Sequence, residues 1–178
     1  EHTFGQHVSS RNSEVIHSGF YYPPESLKSK LCIKGNNMLY DFARLYHIQY
    51  KKCGKLVVIN DSKDQNILQS IMKNALYCGL EGLRILNKKE SKEKEKRVNC
   101  HQSLWVPSTG IIDSHGLMSK LENIARSNDV SFAYNVEVNS IKKINDYYEL
   151  FFKDSSTTLR ANIVINASGL WSDKISSM

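Results

Sequence analysis

The stretch ANIVINASG, residues 161–169, constrains the fold more than any other part of the sequence. It is nearly continuous in apolar residues, as a strand buried on both faces requires, and it ends in small residues. Strands covered on both faces occur in parallel sheets packed between helices, so the run predicts an α/β protein. Residues 157–166 are therefore predicted to form a strand, after two other strand candidates at 131–140 and 147–152.

Helical periodicity dominates the earlier part of the chain. From Ser26, after the helix breakers Pro23 and Pro24, apolar residues recur mostly on one face as far as Tyr46, which predicts a long helix. Asp113 or Ser114 is suited to cap a later helix. The other predicted elements are a strand over 50–60, a helix over 63–78, a short strand over 83–86 and a charged helix or loop over 88–97.

The formal net charge of +6 raises the question of a nucleic-acid partner. The densest charged block, KKESKEKEKR at 88–97, alternates acids with bases as a solvated face does. No basic stripe is interleaved with aromatic residues, so no nucleic-acid partner is expected. The excess charge could equally attract dicarboxylate substrates.

The cysteines show no pattern of a metal site. No C-x-x-C pair and no histidine at zinc-finger spacing is present. We therefore expect reduced thiols that act as small, half-buried apolar side chains, and no metal, at Cys32, Cys53, Cys78 and Cys100.

Residues 9–24, SSRNSEVIHSGFYYPP, concentrate polar chemistry in one turn-rich stretch. Ser and Asn donors beside Arg11 suit a phosphate or pyrophosphate, and His17 could accept a proton near neutral pH. From the residues alone a structural role is equally open, with Ser9 and Ser13 as backbone caps, Arg11 as a surface charge and Tyr21 and Tyr22 as core aromatics.

Four sequence segments can be compared with known families: SSRNSEVIHSGFYYPPESLKSKLC from residue 9, YKKCGKL at 50–56, STGIIDSH at 108–115 and INASGLWSD at 165–173. In order and spacing they resemble the L-2-hydroxyglutarate dehydrogenase/oxidase family, within the flavoproteins related to D-amino-acid oxidase. The resemblance implies an α/β fold in which a partial FAD-binding Rossmann-like domain, residues 1–48 and 108–178, carries an inserted α+β substrate domain, of which residues 49–107 form part.

The resemblance also implies which residues bind FAD. The first segment would lie along the pyrophosphate and flavin, with Ser9, Ser10, Arg11, Asn12 and Ser13. Val136 and Val138 would offer backbone atoms to the adenine, although plain strand packing explains them as well. In the second flavin motif, Ala167, Ser168 and Gly169 would let the backbone approach the cofactor, since a glycine permits a tight turn.

For the substrate, the resemblance points to His17, Tyr22 and Lys55. A hydroxy-acid oxidation needs a base for the hydroxyl proton, and His17 is the imidazole inside the specific motif. It could instead hydrogen-bond the flavin. Tyr22 and Lys55 would pair with a substrate carboxylate, although Lys55 could also be an exposed strand charge.

Such proteins open with a strand and a G-x-G-x-x-G turn that binds the pyrophosphate, and nothing before residue 5 supplies it. We therefore expect an internal fragment that by itself binds FAD poorly and does not turn over. The full-length protein that contains this fragment would oxidise L-2-hydroxyglutarate and pass electrons to a quinone or oxygen. Alternatives are another oxidase of this type, acting on glycerol 3-phosphate or an amino acid, or a non-catalytic remnant. We expect a cytoplasmic protein, or one peripheral at the inner membrane.

Overall fold

A computed structural model describes residues 1–178 and shows a mixed α/β protein with three three-stranded antiparallel sheets. The strands are β1 (Val15–Ile16), β2 (Tyr50–Lys51), β3 (Lys55–Ile59), β4 (Arg84–Asn87), β5 (Gln102–Val106), β6 (Gly110–Ile112), β7 (Val138–Ile144), β8 (Tyr147–Phe152) and β9 (Thr158–Ala161). The α-helices are α1 (Leu27–Leu45), α2 (Gln65–Tyr77), α3 (Lys88–Lys94), α4 (Ser114–Arg126) and α5 (Ser172–Ser176).

The chain divides into two compact units, residues 12–121 and residues 1–11 with 122–178. The functional division at residues 48/49 and 107/108 stays a prediction. None of the helices combines the length and the apolar character needed to cross a membrane.

In the unit 12–121, one sheet has the strand order β3-β5-β4 and packs against α2. Leu104 and Val106 of β5 lie on the face that meets Leu68 and Ala75 of α2, and all four are fully or almost fully buried. Phe20, from the motif at 9–24, belongs to the same core. The aromatic end of that motif is thus fixed by apolar burial.

A second sheet in this unit has the order β1-β6-β2 and packs against α1. The predicted long helix is confirmed: Ser26 caps it by accepting a hydrogen bond from the Ser29 amide, and Tyr40 and Ala43 bury its apolar face. Ile16 of β1 and Ile112 of β6 complete this core. His17 is the first residue after β1, so the pairing of β1 with β6 fixes the position of the His17 backbone.

The predicted strand over 50–60 is interrupted. Residues 50–51 pair with β6, whereas 55–59 pair with β5 in the other sheet. Gly54 lies between them with φ of +72°, and a Cβ built on it would stand 2.0 Å from the Trp105 ring. A left-handed backbone at this point ends the first strand and lets the chain enter a second sheet.

In the unit formed by 1–11 and 122–178, β7, β8 and β9 make an antiparallel meander. The predicted strand 131–140 is largely wrong: residues 131–137 are irregular, and Asn135 has φ of 56° while its amide donates to the Glu1 carbonyl at 2.7 Å. That left-handed turn delays the strand until Val138.

The run ANIVINA differs most from expectation. The strand β9 ends at Ala161, and residues 163–168 have no regular structure. Ile163 and Ile165 are 77% and 83% exposed, so neither is a buried strand residue here. A strand needs neighbours that pair with its N–H and C=O groups, and no strand of this chain lies beside these residues.

Candidate functional site

A cavity of about 590 Å³ lies within the unit formed by 1–11 and 122–178, in the size range of small-molecule sites. It brings together the two segments that sequence analysis assigned to the cofactor. Ser9 contributes from one, and Ala167, Ser168 and Gly169 contribute from the other. Residues that were not predicted also line it, among them Glu1, His7, Glu137 and Trp171.

The turn at 166–171 shapes one wall of this cavity. The backbone amide and hydroxyl of Ser168 donate to Asn166 Oδ1 at 3.2 and 2.6 Å, which fixes the turn before the short 3-10 helix Gly169–Trp171. Gly169 has φ of +60°, and no atom lies within 4 Å of the position that a Cβ would take. The backbone there is open to a ligand.

Side chains of the segment 9–13 bind mainly to backbone groups of neighbouring residues. The Ser10 hydroxyl donates to the carbonyl groups of Gly5 and His7, and Arg11 Nη1 donates to the Gln6 carbonyl at 2.6 Å. Asn12 Oδ1 accepts from the Glu14 amide at 2.8 Å, which makes a local Asx turn, and Ser13 is exposed. Thus Ser9 lines the cavity, whereas the others in this segment lie outside its lining.

The two predicted adenine contacts lie on either side of Glu137, which lines the cavity. Val136 is 46% exposed. Val138 begins β7 and pairs with Phe152, so its backbone is partly engaged in the sheet. Both backbone positions belong to the same unit as the cavity.

His17 belongs to the other unit and follows β1 directly. Its carbonyl group accepts from Asn36 Nδ2 at 3.0 Å and from the Cys32 thiol at 3.7 Å. The same Asn36 amide donates to the Ser108 carbonyl, also at 3.0 Å, and is buried. Helix α1 therefore fixes the backbone of His17 while its side chain stays exposed.

Lys55, at the start of β3, lies close enough to His17 to affect its titration. Desolvation lowers the pKa of His17 below its usual value, and the positive charge of Lys55 lowers it further. The Lys55 ammonium also lies 5.3 Å from the ring centroid of Tyr21. Lys55 is thus within electrostatic range of His17 and lies over Tyr21, which sequence reasoning had not chosen.

Tyr22 lies beside a different lysine. The ammonium group of Lys28, in the first turn of α1, is 4.2 Å from its ring centroid. Asn74 Nδ2 on α2 donates to the carbonyl groups of Phe20 and Tyr22 at 2.6 and 3.2 Å, which holds the backbone on both sides of Tyr21. No signal in the sequence singled out Lys28 among the lysines of this helix.

Glu14 is a further residue that sequence reasoning missed. It has φ of 56°, and its carboxylate accepts from both the amide and the hydroxyl of Ser114 at 3.0 and 2.7 Å. These hydrogen bonds lower the pKa of Glu14 and cap the start of α4. The motif is thereby tied to a helix one hundred residues further along the chain.

The residues around the large cavity fit part of a dinucleotide such as FAD. The small side chains at 167–169 leave backbone accessible, and Ser9 offers a hydroxyl group. The carboxylates of Glu1 and Glu137 can accept hydrogen bonds from ribose hydroxyl groups. The lining therefore favours the sugar and linker of a nucleotide over a purely apolar ligand.

Comparison with known proteins agrees with this interpretation. The mitochondrial L-2-hydroxyglutarate dehydrogenases of Arabidopsis thaliana and Homo sapiens are 34% and 32% identical over 94% and 97% of this chain. The chain spans about two fifths of these relatives, 41% and 39% of their lengths.

Among solved structures, the FAD-bound, dithionite-reduced L-α-glycerophosphate oxidase of Mycoplasma pneumoniae shares the fold, with a TM-score of 0.89 at 24% identity. The match covers 98% of this chain and 47% of that one. The family model described as "FAD dependent oxidoreductase" (DAO) matches residues 1–178. The chain therefore belongs to the DAO family of FAD-dependent oxidoreductases.

Proposed function

We propose that the protein containing this chain oxidises L-2-hydroxyglutarate to 2-oxoglutarate, with FAD as the hydride acceptor and a quinone or oxygen as the final electron acceptor. The activity is assigned to the whole protein, because the chain spans about two fifths of the relatives named above. Their identity of 32 to 34% supports the choice of substrate within the family.

The observation that carries the proposal is that His17, which follows β1, and Lys55, which begins β3, lie within electrostatic range of each other in one compact unit. A base must be unprotonated before it can accept a proton, and both desolvation and Lys55 lower the pKa of His17. An ammonium group beside the base also suits a substrate that has a carboxylate next to the oxidised carbon. One pair of residues thus meets both needs of 2-hydroxy-acid oxidation.

In the proposed reaction, the proton of the C2 hydroxyl group passes to an imidazole nitrogen of His17. Bound FAD supplies the acceptor for the hydride that leaves C2. The C2–O bond becomes a carbonyl, so one proton and one hydride account for the two hydrogens removed. Lys55 holds the carboxylate that adjoins C2, and Tyr22 donates to a substrate carboxylate. The hydrogen bond from Asn36 keeps the His17 backbone in place.

For the cofactor, we propose that Ser9, Ala167, Ser168 and Gly169 contact FAD from the cavity that they line. Ser10, Arg11, Asn12 and Ser13 support or extend that contact, and Val136 and Val138 provide backbone groups to the adenine. The open space at Gly169 supports the close approach that this assignment requires.

The test uses the protein encoded by the complete reading frame. Anaerobic bleaching of the flavin absorbance is followed with L- and D-2-hydroxyglutarate, lactate, glycerol 3-phosphate and glycine. We expect L-2-hydroxyglutarate to give the highest kcat/KM. Failure to bleach with it would refute the choice of substrate, and faster bleaching by glycerol 3-phosphate or glycine would establish the corresponding alternative.

The role of His17 is tested by His17→Gln, which we expect to lower kcat by about 100-fold or more, the usual contribution of a general base. His101→Gln, at an exposed histidine in the same unit, is the matched control. A His17→Gln protein with kcat within about threefold of the parent would remove His17 from the base role.

A further inference from the structure

Lys28 and Lys55, beside the consecutive residues Tyr22 and Tyr21, carry positive charge that no carboxylate neutralises. Lys28 and Lys55 form no ion pair within 4 Å. The nearest acid in sequence to Lys28 is Glu25, and it is paired with Lys30 at 2.7 Å. The first turn of α1 also contains no acidic residue. The positive end of the helix and the Lys28 ammonium therefore carry charge of the same sign in the first turn of α1.

The charges of Lys28 and Lys55 both affect the Cys32 thiol. Burial raises the pKa of the Cys32 thiol, and the charges of Lys28 and Lys55 both oppose that rise. Cys32 in turn donates to the His17 carbonyl at 3.7 Å. Both lysines therefore lie within electrostatic range of the Cys32 thiol, which contacts the His17 carbonyl.

Each lysine lies over one of two consecutive tyrosines, Lys55 over Tyr21 at 5.3 Å and Lys28 over Tyr22 at 4.2 Å. Ammonium groups and phenol hydroxyls together are the donors that bind a carboxylate. Asn74 donates to the carbonyl groups of Phe20 and Tyr22, which holds the backbone on both sides of Tyr21. We call Lys28, Lys55, Tyr21 and Tyr22 the two-lysine cluster.

A 2-hydroxy acid with a single carboxylate would neutralise only one of these charges. We infer that Lys28, with the phenol groups of Tyr21 and Tyr22 at its side, binds the second carboxylate of a dicarboxylic substrate. Lys55 then serves the carboxylate next to C2. The inference rests on the proposed function and makes the two-lysine cluster the part of the protein that selects dicarboxylates over monocarboxylates.

The test measures binding in the complete flavoprotein by isothermal titration calorimetry, with glutarate and pentanoate as probes. These acids have the same chain length and differ in the second carboxylate. We expect glutarate to bind at least about 10-fold more tightly, and Lys28→Met to weaken glutarate by about 10-fold while changing pentanoate less than about twofold. Lys28→Arg should keep glutarate binding within about threefold of the parent, because it preserves the charge.

Lys34→Met is the matched control, since it removes the same charge from an exposed position on the same helix. It should leave both acids within about twofold of the parent. Tyr46→Phe is the control for the tyrosines, because it also lies under a lysine, Lys120 at 5.1 Å, but outside the two-lysine cluster. Tyr21→Phe should weaken glutarate about threefold or more, and Tyr46→Phe should not.

The kinetic counterpart is a rise of about 10-fold in KM for L-2-hydroxyglutarate in Lys28→Met, with kcat nearly unchanged and no change for L-2-hydroxypentanoate.

Equal weakening of glutarate and pentanoate, or none, would overturn the inference. Tighter binding of glycerol 3-phosphate than of glutarate would overturn the choice of a carboxylate over a phosphate. If L-2-hydroxyglutarate is not oxidised but glutarate binding depends on Lys28, the proposed function fails and the inference stands. If L-2-hydroxyglutarate is oxidised but glutarate binding does not depend on Lys28, the proposed function stands and the inference fails.

Discussion

The side chain of Asn36 joins the turn that carries His17 to the segment before β6, and its removal gives a quantitative prediction. Its amide donates to the carbonyl groups of His17 and Ser108, both at 3.0 Å, and the residue is only 5% exposed. Asn36→Ala removes two hydrogen bonds of about 1 kcal/mol each and leaves the His17 carbonyl with only a weak thiol donor. The poorly satisfied His17 carbonyl adds about 1 kcal/mol and the better helix propensity of alanine returns about 0.6 kcal/mol, so we expect a net loss of about 2 to 3 kcal/mol in the free energy of unfolding.

Tyr40 makes this prediction sharper, because its hydroxyl also donates to the Ser108 carbonyl, at 3.0 Å. Tyr40→Phe alone should cost about 1 kcal/mol, since Asn36 still satisfies that carbonyl. The double variant removes both donors from it and should cost about 1 kcal/mol more than the sum of the single variants. Burial raises the pKa of Tyr40 to about 12, so the phenol remains a donor under all conditions of the assay.

The assay is urea unfolding followed by circular dichroism at 222 nm and by tryptophan fluorescence, since Trp105 lies in the same unit as Asn36. Asn37→Ala, at the exposed neighbour on α1, is the control and should be neutral or slightly stabilising. A loss below about 1 kcal/mol for Asn36→Ala, or strict additivity in the double variant, would refute the shared carbonyl. In the complete protein, Asn36→Ala should also lower kcat, because it releases the backbone of the proposed base.

Three further predictions follow from other contacts. Lys55→Met removes a charge that lowers the pKa of His17, so the acidic limb of kcat/KM should move to higher pH, whereas Lys34→Met should leave it in place. The isolated chain, residues 1–178, should lose FAD on gel filtration, and stoichiometric absorbance near 450 nm in the protein peak would contradict this. Gly54→Ala should destabilise the unit by about 3 kcal/mol, since its Cβ would overlap the Trp105 ring, whereas Gly79→Ala, with φ of +77° and nothing within 4 Å, should cost only about 1 kcal/mol in urea unfolding.

Local sequence signals predicted the helices well. The periodic apolar face after Pro24 predicted α1, and α2 and α4 begin within about two residues of their expected starts. Their caps and apolar stripes lie within the elements themselves. The single strand expected over 50–60 failed because Gly54 takes a left-handed conformation against Trp105, a contact made fifty residues away in sequence.

The run ANIVINA shows the limit of reasoning from hydrophobicity alone. Its composition suits a strand buried on both faces, yet Ile163 and Ile165 are largely exposed and no other strand of the chain pairs with them. Hydrophobicity is a property of the residues, whereas a strand also requires a partner for its backbone groups. The small residues that follow it nevertheless line the large cavity, because a turn at Asn166 and Gly169 depends on local chemistry.

The motif at 9–24 could be recognised as functional because it is one continuous string, but the structure divides it between two compact units after Arg11. Ser9 then shares a cavity with 167–169, while His17 shares its surroundings with Lys55. Continuity in sequence shows that these residues belong to one motif, yet it cannot show which side chains each part of the motif meets within its own unit. Lys55 and residues 167–169 lie tens of residues away from the motif. Tyr21 and Lys28 lie close to His17 in sequence, but they emerged only from the distances of the two lysines to neighbouring rings. A selectivity change in Lys28→Met but not in Lys34→Met would therefore establish a functional residue that the motif alone could not single out.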